Sequence, residues 1–213
     1  MNSLLKKNSF RLFALFFLTY ALLYITDRFI LNAEFFQGIG DPLSGIPDKE
    51  AGIYDHLQKW VYLCEGGYLM IKLLLISFIL YTALYLLERP VHFERIFGVV
   101  VEAEFIFLLP AAIKILWFYF YGNHFTLDQW HKFYPLSALS LLPSAPADMT
   151  YLLQTLNVFE VIYWFILGYG ICKITGLVYD RALRVVVISY LPSLLVWIAI
   201  VSFCVVMVYP DAS

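Results

Sequence analysis

Glu102, Glu104 and Lys114 interrupt an apolar run between Arg95 and Gly122 that is long enough to cross a bilayer. Insertion of such a group into bare hydrocarbon costs about 2.5–3.5 kcal/mol, so each side chain is expected to face protein or water. Pro110 falls between the acidic and basic halves of the run, removes one helical hydrogen bond and predicts a kink. A second set, Gln154, Asn157 and Glu160, recurs every three residues in the apolar run 151–175 and predicts one drifting polar face. The depths of Lys114 and Glu160 match if the two runs are antiparallel neighbours, which predicts an ion pair between them. Such a pair would serve either as part of a polar solute or proton path, or as an element fixing helix register. Glu102 and Glu104 are two residues apart and point to nearly opposite helix faces, so they cannot act as one close carboxylate pair in acid–base chemistry. One is expected to face the bundle while the other reaches a basic residue such as Arg95 or Arg184.

No catalytic motif accompanies these residues. The chain has no glycine-rich phosphate loop, no G-x-S-x-G and no H-E-x-x-H. Ser77, Ser189, Ser193 and Ser202 have no histidine in the same apolar runs to act as base, so an enzyme acting on lipid is the weakest of the functional classes. His56, His124 and His131 with Asp128 do not follow a zinc-ligand spacing and read as interfacial residues; no metal and no cofactor are expected. The three cysteines are scattered without a metal-type spacing and read as inert, mostly buried thiols.

The elements that position these residues follow from composition. Of 213 residues, 62% are hydrophobic and 14% charged, with mean hydropathy +0.78, which excludes a soluble domain. A net charge of −2 gives no electrostatic support for nucleic-acid binding. The expected fold is all-α: one membrane domain, 1–213, with five transmembrane helices at about 11–31, 67–87, 96–121, 151–175 and 183–208. Outer loops are expected at 32–66 and 122–150, each with a short interfacial helix. In the first, Ile53, Leu57, Trp60 and Val61 recur at helical steps; in the second, Thr126 and Gln129 form a T-x-x-Q capping box ahead of Trp130. Trp60 and Trp130 are the expected docking residues of these surface helices. Lys72 reads as a residue that snorkels to the interface. The run LSALSLL, residues 136–142, is too short to span and should dip into the interface or pack on the bundle. Gly168, Gly170 and Cys172 suit close helix contact. Pro192 predicts a kink in span five.

Positive residues gather at one end: Lys6, Lys7 and Arg11 before span one, Arg89 and Arg95 between spans two and three, and Lys173, Arg181 and Arg184 between spans four and five. The positive-inside rule then places the N-terminus inside and the C-terminus outside.

This layout resembles the Yip-domain membrane proteins. The resemblance covers nearly the whole chain and rests on the five-span plan, the acidic VEAEF of span three and NVFEVIYWFILGYGICKITG of span four. It implies a bacterial-type member in the cytoplasmic (inner) membrane. The long cytoplasmic N-terminal region and D-L-Y-G-P-type motif of the family's eukaryotic members are missing, so Rab binding is not implied. The function expected first is therefore non-enzymatic, in membrane organisation or as a partner in an envelope complex. The alternative is a small transporter or permease subunit using Glu102, Lys114 and Glu160. The expected partners are the lipid bilayer and either other membrane proteins or further copies of the chain, with no nucleic acid.

Overall fold

A computed structural model of the protein describes residues 2–31, 47–121, 125–142 and 147–208. The described residues form helices without strands, and five segments are long and apolar enough to cross a membrane: Lys6–Ile30, Trp60–Leu86, Phe93–Tyr121, Val158–Thr175 and Tyr179–Cys204. The expected all-α bundle is therefore observed. One end carries the two short connectors, 87–92 and 176–178, and is called the connector end here. The opposite end carries the long loops and is called the loop end.

The first helix, α1 (Asn2–Ile25), runs into a five-residue π-helical turn, Thr26–Ile30. Thr26 Oγ1 donates to the Leu22 carbonyl at 3.0 Å, competing with the regular ladder, and Leu31 N–H closes the wider turn on Thr26 O at 2.9 Å. Next, α2 (Pro47–Leu86) is one unbroken helix of 40 residues. The stretch around Ile53–Val61 is helical as its periodicity predicts, but it is the continuation of span two rather than a separate surface helix. No proline lies between it and Lys72 to end it, and Gly66–Gly67 alone cannot. Glu88, at φ 55°, and the following proline turn the chain into span three.

Span three is broken. It consists of α3 (Phe93–Glu104), a 3-10 turn (Phe105–Phe107) and α4 (Leu108–Tyr121). The break precedes Pro110 because a proline at 110 has no N–H to offer the Ile106 carbonyl and its ring crowds that same turn. After α5 (Leu127–Lys132) and a 3-10 turn (Ala138–Leu141), the expected fourth span also proves discontinuous. It is α6 (Ala147–Thr155), a break at Leu156–Asn157, and α7 (Val158–Thr175). Residues 136–138 pair with this break: Ala138 N–H donates to Leu156 O at 2.8 Å and Val158 N–H to Leu136 O at 3.1 Å. Of its two expected placements, the LSALSLL run thus takes the one packed on the bundle. Gly176, at φ 70°, ends α7 in the left-handed conformation that a glycine adopts without strain. Span five is α8 (Tyr179–Val208), which passes through Pro192 without a break.

The core follows from helical stripes. On α2, Leu69, Leu73, Ile76, Leu80 and Leu84 are buried, while Ile71, Leu74, Leu75 and Phe78 on the same helix are exposed. Both faces are apolar, which suits a helix with lipid on one side; close packing, rather than water exclusion, then holds the bundle together. Small residues make that packing possible. A Cβ added at Gly170 would collide with the Val99 side chain, and one at Gly168 would lie 3.2 Å from Leu183 Cα. These contacts join α7 to α3 and α8, as the small residues predict. A second cluster, of Ile30, Ile115, Phe118 and Trp130, sits at the loop end. Trp130 is therefore a core residue that cannot serve as a docking residue, whereas Trp60 is exposed. The residues 32–46, 122–124 and 143–146, which include most of the turn-rich GIGDPLSGIPDKE stretch and His124, lie outside the described residues, as do the side chains of His56 and Asp128.

Candidate functional site

Glu102 and Glu104 part company as their spacing predicts. Glu102, on the exposed face of α3, pairs with Arg11 of α1, and neither Arg95 nor Arg184 is its partner. Asn8 Nδ2 donates to Glu94 O at 2.8 Å one turn further along α1, so two polar contacts clamp α1 to α3. Glu104 turns inward, is 4% exposed, and accepts a 2.5 Å hydrogen bond from Lys72 Nζ. Lys72 is thus the partner of a buried carboxylate and does not snorkel. Its ammonium also lies 4.1 Å from the Phe107 ring centroid. Phe107 belongs to the 3-10 turn, so the break in span three places this ring against the pair. Glu104 Oε2 and the hydroxyl of Tyr163 are buried without hydrogen-bond partners among the described residues.

Glu160 sits in the first turn of α7. Its backbone N–H donates to Asn157 Oδ1 at 2.8 Å, and Asn157 caps the helix. The buried carboxylate accepts from Tyr190 Oη at 2.8 Å and Trp164 Nε1 at 2.9 Å, both on Oε1. Lys114 is not its partner. The expected Lys114–Glu160 pair is absent because α7 begins at Val158, so Glu160 faces α8 and its own following turn. Gln154 and Asn157 do not share a continuous helical face with it either. Gln154 Nε2 donates to the His131 carbonyl at 2.7 Å, tying α6 to α5, and Asn157 Nδ2 donates to the carbonyls of Gln154 and Thr155.

Lys114 Nζ lies 4.4 Å from the centroid of the Trp130 ring. That ring is held by the Thr126–Gln129 capping box at the start of α5, which is formed on both sides as the sequence predicts. Among the described residues no carboxylate is within ion-pairing distance of Lys114. A cation–π contact contributes about 0.5–2 kcal/mol. Removing an ammonium from water costs several kcal/mol, so the ring alone leaves most of that cost unmet.

These groups meet in a cavity of about 590 Å3 at the loop-end half of the bundle. Its lining includes Glu104, Lys114, Gln154, Asn157 and Glu160, and excludes Glu102. Its walls are mainly apolar, contributed by α1, α2, α4 and α8, and its volume lies within the range of about 300–1,000 Å3 usual for ligand sites. Sequence reasoning missed Glu65, Lys72 and Tyr190 as lining residues. Glu65 and Lys72 are seven residues apart, two helical turns, and that spacing was a readable sign of a shared face. The part played by Tyr190 had no local signal, since its partner is 30 residues away. Among the described residues no three His, Cys, Asp or Glu side chains are grouped to hold a metal ion.

Comparison with known proteins finds no family model that matches this chain, and no similar curated protein or solved structure.

Proposed function

We propose that this integral membrane protein is non-enzymatic and takes up a small amphiphile in its intramembrane cavity, as a binding protein or a small permease component. The observation that carries this reading is the cavity itself: about 590 Å3, apolar in most of its lining, with Lys72, Glu104, Lys114 and Glu160 facing it. With Glu65, five acidic or basic groups line one mainly apolar space, which is costly to maintain, and two of them, Lys72 and Glu104, already neutralise one another. A scaffold held by packing alone has no use for the space that remains. Native mass spectrometry of the gently extracted protein tests the reading. A retained amphiphile is expected, and Ala111→Trp, which fills the cavity from α4, is expected to displace it with the thermal midpoint preserved. An empty wild-type protein that is indifferent to added amphiphiles overturns the reading.

A second reading, a Yip-domain-type role in membrane organisation in a bacterial cytoplasmic membrane, is favoured by the short connectors 87–92 and 176–178 at the end that carries the basic N-terminus. Co-purification of a stoichiometric membrane partner from native membranes, unaffected by Ala111→Trp, would favour it over the cavity reading.

A further inference from the structure

We infer that the ligand of the cavity is an anionic amphiphile, a carboxylate or phosphate head on an apolar chain, and that Lys114 is the residue that receives the head. The inference rests on the cavity reading above and names the chemistry of its occupant.

Among the charged residues that line the cavity, Lys114, Glu65 and Glu160 are the three with no charged partner among the described residues, and Lys114 is the one cation of the three. Lys72 and Glu104 are joined to each other, and Glu160 already accepts two hydrogen bonds. Among the described residues Lys114 has the face of Trp130 and no carboxylate close enough to pair with it. An ammonium in an apolar space without a counter-ion is an electrostatic vacancy for an anion. The Trp130 ring covers one side of the ammonium and cannot accept in its place.

The surroundings specify the rest of the ligand. The apolar lining, among it Leu22, Leu23, Leu75 and Leu108, comes from helices that flank the lysine. A bare inorganic anion would leave this surface uncovered, whereas an alkyl chain covers it. The ligand would enter beside α1, the least buried of the five spans: between Lys6 and Ile30 its only buried residues are Leu15 and Ile30. The acidic lining residue Glu65 lies on α2 seven residues before Lys72, and among the described residues it forms no ion pair with Lys114. A cationic amphiphile directed to Glu65 or Glu160 is the competing chemistry, and the test sets the two against each other.

The full chain, purified in a neutral maltoside detergent, is titrated with dodecyl phosphate, dodecanoate and dodecyltrimethylammonium while the thermal midpoint is followed. Dodecyl phosphate or dodecanoate should raise the midpoint saturably, and dodecyltrimethylammonium should not. Lys114→Gln should weaken the anion at least tenfold, and Lys114→Arg should restore it. Quenching of tryptophan emission by brominated dodecanoate, reduced in Trp130→Phe, locates the head without relying on the stability of a lysine variant. Native mass spectrometry from discs containing phosphatidylglycerol or phosphatidylcholine then identifies the source. Retained phosphatidylglycerol means a bilayer lipid, and retention of added dodecanoate alone means a free single-chain acid; both support the inference. Equal binding by Lys114→Gln overturns it. Stabilisation by the cation that is lost in Glu160→Gln or Glu65→Gln overturns it while the cavity reading stands. Binding of none of the three ends both.

Discussion

A buried carboxylate in this bundle is tolerated only through its hydrogen bonds, and the two that line the cavity use different solutions. Glu104 depends on a cation from another helix. Lys72→Met alone is expected to destabilise the protein by about 3–5 kcal/mol, because it leaves the carboxylate uncompensated. Lys72→Met with Glu104→Leu should recover much of that loss, and unfolding in mixed micelles measures the coupling, expected at about 0.5–3 kcal/mol. Strictly additive single and double variants would show that the pair contributes nothing. Glu160 depends on neutral donors. Tyr190→Phe removes one of two hydrogen bonds to a charged acceptor and should cost about 1.5–3 kcal/mol, with Trp164→Phe leaving a protein that still folds.

Two of the five spans are interrupted, and the interruptions position the site. The turn at Phe105–Phe107 sets Phe107 against Lys72. The break at Leu156–Asn157 starts α7 below the loop end, so that Glu160 is held in a first helical turn among buried neighbours. Asn157→Ala should therefore act on both the helix and the cavity. A loss of about 0.5–2 kcal/mol is expected from the cap alone, and thermal unfolding with and without a bound amphiphile separates the two contributions. Packing between spans is equally specific. Gly170→Ala drives a methyl group into Val99 and should cost about 1–3 kcal/mol, with Val99→Ala in the same chain restoring most of it. Failure of that rescue would show that α7 and α3 do not approach each other as described.

At the scale of the molecule, the connector end carries Arg89, Arg95, Arg181 and Arg184 together with the basic N-terminal residues. The proposed orientation places this end inside. Single cysteines introduced near His92 and Asp180 should react with an impermeant maleimide only after the membrane is opened, and a cysteine at Gln129 should react in intact cells. Reaction at His92 from outside would reverse the orientation. With the proposed orientation the loop end would face outward, and the cavity would lie in the outer half of the bilayer, the half from which its ligand would be drawn.

The number of spans, the separation of Glu102 from Glu104, the capping box at Thr126 and the close contacts at Gly168 and Gly170 all follow from the sequence, because each depends on hydropathy or on spacing along a single helix. The partners of the charged residues do not. Lys72 with Glu104 joins residues 32 apart, Arg11 with Glu102 joins α1 to α3, and Tyr190 reaches Glu160 across two helices. Depth matching by residue count treats spans as unbroken rods, and that assumption produced the Lys114–Glu160 pair. The 3-10 turn before Pro110 and the break at Asn157 shift register by part of a turn, which is enough to redirect a side chain from one neighbour to another. The chain determines that charge is buried in its membrane bundle; which charge meets which, and that Lys114 is left to face an open cavity, is decided only when the broken helices pack.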